Sequence, residues 1–211
     1  MLQRLINQAV KLPALLSRFD KIEHFLDSSN FAVTNQLQDD FRNFIESLWR
    51  WESNTRSETS LPLYWSKPTY TDSLPRVGDV LWYPNIMTAN SLTYCWAFEI
   101  VARRKLAILE RRTTETQGCD PRCFDTCALL QTAVDAKVQR SAAVLAKMIC
   151  DSMSYLLQPE FKLYGPGSAF FTLPTAMRVF QDESGRYDTQ LARCQGIIDH
   201  LASIGVFFPR T

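Results

Sequence analysis

No glycine occurs between Gly118 and Gly165, and within that interval prolines sit only near the two ends. Asp120 before Pro121 reads as a helix start, a capping carboxylate followed by proline at the first helical position. Pro159 reads as the stop. Between them Cys127, Leu130, Val134, Val138, Leu145, Ile149 and Leu156 recur at helical spacing. From Ser141 to Cys150 the pattern is apolar almost all round, with Lys147 the one charge. A helix of that kind belongs inside a helical domain. The segment Phe161 to Pro174, with Gly165 and Gly167, then reads as a tight crossing, and Pro174 as the start of a short helix to Phe180.

The rest of the chain supplies helices to surround this centre. Leu2 to Val10 and Pro13 to Leu26 are amphipathic, and Asn30 to Thr34 reads as a loop. Asn35 to Trp51 carries Leu37, Phe41, Phe44, Ile45, Leu48 and Trp49 on one side. Ile86 to Arg111 and Thr189 to Ile204 follow the same period, with Gly205 as the C-terminal stop of the latter. Residues 53–80 hold prolines, serines and Gly78 without helical period, yet also Tyr64, Trp65 and Tyr70, so they read as an ordered loop or lid. No strand pattern is visible. The expectation is a single all-α domain over residues 1–211, with about six to seven helices around a long buried central helix.

Composition excludes little. A net charge of +1 gives no global attraction for nucleic acid or membrane. No apolar run approaches the roughly 20 residues of a membrane helix. Six scattered cysteines read as reduced thiols of an intracellular protein, cytoplasmic or nuclear. Arg4, Lys11 and Arg18 before the first acid imitate a mitochondrial presequence, but Pro13 interrupts the run and an ordinary first helix is the better reading.

Candidate chemistry is sparse. Cys119, Cys123 and Cys127 have helical spacing but no fourth ligand for zinc, so no metal and no cofactor is expected. Asp39-Asp40 lacks the second motif of a magnesium site and reads as surface charge. Arg103-Arg104-Lys105 and Arg111-Arg112 complement a helix C-terminus. His24 reads as solvent-facing, and His200 as the histidine able to reach a pocket wall. The aromatic set Trp49, Trp65, Trp82, Tyr83, Tyr94 and Trp96 is heavy for a plain bundle; where several converge they would line an apolar ligand cavity.

Several stretches together resemble the regulatory region of fungal zinc-cluster transcription factors. They are Leu12 to Asp20, Thr88 to Ile100, Ala143 to Phe180 (with Cys150-Asp-Ser-Met-Ser-Tyr155 and Phe171-Thr-Leu-Pro-Thr-Ala176), and Ile197 to Gly205. The six cysteines here do not have the spacing of that family's zinc cluster, and no basic arm adjoins them. The resemblance therefore implies a regulatory, ligand-binding helical domain without a DNA reader. Sequence-specific DNA binding is not expected; a small apolar metabolite, a protein partner or a second copy is. The alternative is a cofactor-independent enzyme of secondary metabolism, a cyclase, isomerase or dehydratase. In it Glu99 or Asp199 would serve as acid or base, His200 as proton carrier, and Tyr94 or Trp96 as walls.

Overall fold

The computed structural model describes residues 1–24, 31–67, 80–116, 140–182 and 185–208. Among these residues the fold is all-α with one small sheet. Its helices are α1 (Leu2–Ala9), α2 (Leu12–His24), α3 (Phe31–Ser57), α4 (Ile86–Thr116), α5 (Ala142–Leu156), α6 (Tyr164–Asp182) and α7 (Asp188–Ser203). Strands β1 (Trp65–Lys67) and β2 (Val80–Trp82) pair antiparallel, Trp65 opposite Trp82 and Lys67 opposite Val80. These strands correct the expectation of none. At three residues each they are too short to show alternation, and Lys67 holds them by placing its ammonium 3.9 Å from the centre of the Trp82 ring.

The predicted loop is also shorter at its start, because Ser53 to Ser57 complete α3. Residues 68–79 of it lie outside the described residues. Likewise Phe31 to Thr34, expected as loop, form the first turn of α3.

At the centre, α5 packs against α4, α6, α7 and β2. Leu145, Ile149, Met153 and Leu156 are completely buried there, each stabilising the fold by about 1.5–3 kcal/mol relative to exposure. Its apolar surface is not continuous, for Val144 stays 44% exposed and Lys147 lies outside, bonded to Asp151 at 2.7 Å. The helix is also not an unbroken continuation from Asp120. Ser141 is extended (φ −64°, ψ 158°), and its hydroxyl accepts a hydrogen bond from the Val144 amide at 3.3 Å, which makes it a new N-cap. The proposed start at Asp120-Pro121 and the three cysteines Cys119, Cys123 and Cys127 lie outside the described residues.

The glycine crossing is the clearest difference from expectation. Tyr164 to Asp182 is one helix, with Gly165-Pro166-Gly167 in its first turn and Pro174 in its interior. Proline costs little in a first turn, where the amide has no helical acceptor. Gly165 is required by contact rather than by flexibility. A Cβ there would sit 1.8 Å from the carbonyl oxygen of Leu156. The start of α6 thus lies backbone-to-backbone against the end of α5. Inside the helix Pro174 removes one backbone bond, and the hydroxyls of Ser168, Thr172 and Thr175 each bond the carbonyl one turn back.

The last helix ends as read from Gly205. That residue has φ +84°, and the amides of Val206 and Gly205 return to the carbonyls of Leu201 and Ala202 at 2.9 and 3.0 Å, the double bond of a left-handed glycine cap. Buried side chains from all seven helices and β2 join one hydrophobic cluster, from Leu5 to Val206.

Candidate ligand-binding site

Amphipathic α1 turns Leu2, Leu5 and Ile6 to one side, and that side closes over the faces of α4 and α6. Between them is a pocket of about 430 Å³. Leu2, Leu5 and Ile6 line it from α1, Asn90, Tyr94 and Phe98 from α4, Leu163 from the turn before α6, and Tyr164, Gly167 and Ser168 from the start of α6. Residues at 90, 94 and 98 share a face because each is one helical turn from the next. On the other side the close approach at Gly165 brings Tyr164, Gly167 and Ser168 into place.

The lining is apolar, and none of its residues is acidic, basic or a histidine. Its rings are braced from behind by Phe171, which lies 5.9 Å from Tyr94 and 5.4 Å from Phe98 between centroids. Burial raises the Tyr94 phenol above its ordinary range, with Tyr164 adding to the effect. The Tyr94 phenol therefore stays neutral near pH 7. Tyr164 donates to the sulfur of Met87 at 3.6 Å across the rim, and Ser168 is occupied by the Tyr164 carbonyl at 2.9 Å. The mouth is greasy: Leu163 is 77% and Tyr164 56% exposed.

α1 is pinned from outside. Arg4 makes a two-pronged ion pair with Glu58, just past the end of α3; Nη1 to Oε1 is 2.7 Å and Nη2 bonds Oε2. The Arg4 hydrogen bond and charge hold the Glu58 carboxyl below its usual value of 4.5. A carboxyl depressed in the folded state contributes stability above its unfolded value, and the contribution is lost as pH falls through the folded value. Glu58→Gln at neutral pH, and the native protein at acid pH below 4.5, are expected to speed hydrogen exchange of the α1 amides. The exposed pair should leave the melting temperature nearly unchanged. Equal exchange in α1 before and after the substitution would show that the pair does not hold the helix.

Of the six aromatic residues singled out by sequence, Tyr94 lines this pocket. Trp49 and Trp96 instead serve buried carboxylates. Glu99, 1% exposed, accepts from the Trp49 indole and from Arg103 Nε, each at 2.8 Å. Glu52 accepts from the Trp96 indole at 3.3 Å and pairs with Arg140 at 2.5 Å and Arg56 at 3.2 Å. Trp82 and Tyr83 pack on Tyr155, at 5.5 and 5.2 Å. The Tyr83 hydroxyl shares a hydrogen bond of 2.5 Å with Ser152, and burial pushes its phenol far above the ordinary range while that bond opposes. Trp65 is on the exposed strand β1.

The acid–base candidates are not brought together around a cavity. Glu99 is sealed between α3 and α4, whereas Asp199 and His200 are exposed on α7. Asp199 accepts from Gln195 at 2.8 Å, and the His200 carbonyl accepts from Ser203 at 2.7 Å. None of the three lines the pocket. Among the described residues no group of three or more His, Cys, Asp or Glu could hold a metal ion. No described helix is long and apolar enough to cross a membrane.

No family model matches the chain, and neither does any curated protein or solved structure. What the site can do follows from its own chemistry. A neutral, apolar recess of this volume lies within the roughly 300–1,000 Å³ of small-molecule sites. It excludes charged ligands, since nothing in its wall would repay the loss of their hydration.

Apart from Tyr94, every residue of the pocket wall escaped sequence reasoning, from Leu2, Leu5 and Ile6 to Tyr164, Gly167 and Ser168. One signal was present: Leu163-Tyr164 is an apolar pair at a helix start, beside glycines that allow close packing.

Proposed function

We propose that this chain is a ligand-sensing helical domain that receives a small, neutral, mostly apolar metabolite between α1, α4 and α6. The observation that carries the reading is the pocket wall itself, apolar and free of charge on every contributing element. The resemblance of Thr88 to Ile100 and Ala143 to Phe180 to the regulatory region of fungal zinc-cluster factors points the same way. Tyr94 and Phe98 belong to the first of these stretches, Gly167 and Ser168 to the second. In that role the chain acts in cytoplasm or nucleus through protein contacts, and does not read DNA sequence. Catalysis is the weaker reading, because Glu99, Asp199 and His200 all lie away from the pocket.

The test uses a neutral fluorescent probe, phenylnaphthylamine, and an anionic relative, anilinonaphthalene sulfonate. The neutral probe is expected to bind and to raise the melting temperature, by roughly 5–10 °C at a hundredfold excess over its Kd. The sulfonate should bind far more weakly. Gly167→Leu provides the control. Gly167 lines the pocket and a Cβ there meets no atom within 4 Å, so leucine grows into open space. Leucine also suits a helix better than glycine does. The variant should melt no lower than the native chain yet bind the probe at least about tenfold more weakly. Unchanged affinity in Gly167→Leu, or preference for the sulfonate, would count against the proposal.

A further inference from the structure

We infer that Cys150 and Cys194 are an oxidisable thiol pair that closes into a disulfide joining α5 to α7. Both are free thiols, 2% and 0% exposed, and their sulfurs stand 3.0 Å apart. That is closer than unbonded sulfurs rest in ordinary contact. A disulfide needs about 2.05 Å, so the two sulfurs must approach by only about 1 Å. Two helices that could have met through aliphatic side chains instead meet sulfur to sulfur.

The surroundings favour closure of this pair. Arg193, next to Cys194, bonds Asp151, next to Cys150, at 2.5 Å. An ion pair one residue from each sulfur returns the two helices to the same register whenever they separate. Separation is also easy. α7 buries fully only Cys194 and Leu201, so it can lift from the core at a cost well below global unfolding. While α7 is seated, the bond to Cys194 and then burial hold the Cys150 thiol protonated and unreactive. Opened, both thiols meet solvent beside the Arg193 charge.

The oxidant is a small-molecule disulfide such as oxidised glutathione. One protein thiol loses its proton and attacks a glutathione sulfur, expelling one glutathione thiolate. The second protein thiolate attacks the protein sulfur of the mixed disulfide and expels the other glutathione. Two protein thiols are oxidised, one glutathione disulfide is reduced to two thiols, and no further reactant is needed. Cys95 is engaged elsewhere, its thiol donating to the Leu48 carbonyl of α3 at 4.0 Å.

The full chain carrying Cys119→Ser, Cys123→Ser and Cys127→Ser leaves Cys95, Cys150 and Cys194 as its cysteines. Incubated with oxidised glutathione, it should lose the mass of two hydrogens. Non-reducing peptide maps should show Cys150 joined to Cys194, and dithiothreitol should restore both thiols. The linked protein should melt roughly 5–10 °C higher, because the bond closes a long loop of the unfolded chain. Cys194→Ala in the same background should show neither the link nor the rise. The native chain under the same treatment should yield the same linked peptide, which covers the case in which the triple variant folds poorly. Recovery of both residues as free thiols, as stable glutathione adducts, or linked to another cysteine would overturn the inference.

Discussion

Gly165→Ala is expected to destabilise the protein by about 3 kcal/mol or more, lowering its melting temperature by roughly 6–12 °C. The new methyl would lie 1.8 Å from the Leu156 carbonyl oxygen, 3.0 Å from its carbon and 3.3 Å from the Phe161 Cβ. The first two are backbone atoms at the end of α5, and no rotamer change moves them aside. Relief requires the start of α6 to shift away from α5, which also displaces Tyr164, Gly167 and Ser168 from the pocket wall. Probe affinity should therefore fall together with stability. The neighbouring substitution gives the contrast. Gly167→Ala meets no atom within 4 Å and should be neutral or stabilising by a few tenths of a kcal/mol. Thermal melts of the pair distinguish a close-contact glycine from a flexible one; equal melting temperatures would refute the contact.

Glu52→Ala should cost about 3 kcal/mol. The lost carboxylate serves the indole of Trp96, which is completely buried, and the guanidinium of Arg140, whose side chain is 29% exposed. Burial pulls the Arg140 pKa down, but the charge of Glu52 and its hydrogen bond more than offset this and raise it. Arg56 is half exposed, so water replaces Glu52 there at little cost. The expense comes from the indole and from Arg140, neither of which gains a substitute acceptor from alanine. Glu52→Gln keeps an oxygen for Trp96 and should lose about half as much. Urea melts of the two variants check the order, and a Glu52→Ala protein as stable as the native chain would show that this charge cluster is incidental.

Helices were legible where apolar residues recur at helical spacing. That is why α3 and α4 carry the buried faces expected of them, from Leu37 to Leu48 and from Ala89 to Ile100. Their ends were less so, because Phe31 to Thr34 holds aromatic and β-branched residues of modest helix propensity and Ser53 to Ser57 is polar, so both suit a helix end or a loop equally well. Gly165 and Pro166 read as breakers by intrinsic propensity, and the requirement that overrode it, a carbonyl on another helix, is tertiary. The aromatic surplus told that many rings are enclosed but not what they face. Trp49 and Trp96 present indole N–H groups to carboxylates half a helix pair away, whereas Tyr94 presents a ring to open space, and residue type alone cannot separate these. The thiol pair joins positions 44 apart, with no local pattern to announce it.

Amide spectra of the isotopically labelled protein, recorded during titration with phenylnaphthylamine, bear most directly on whether the recess is a binding site. The largest shifts should fall on Leu5, Ile6, Tyr94, Phe98 and Ser168, and should need at least about tenfold more probe in Gly167→Leu. Shifts centred instead on strands β1 and β2, around Trp65 and Trp82, or an unchanged titration midpoint in that variant, would contradict the assignment.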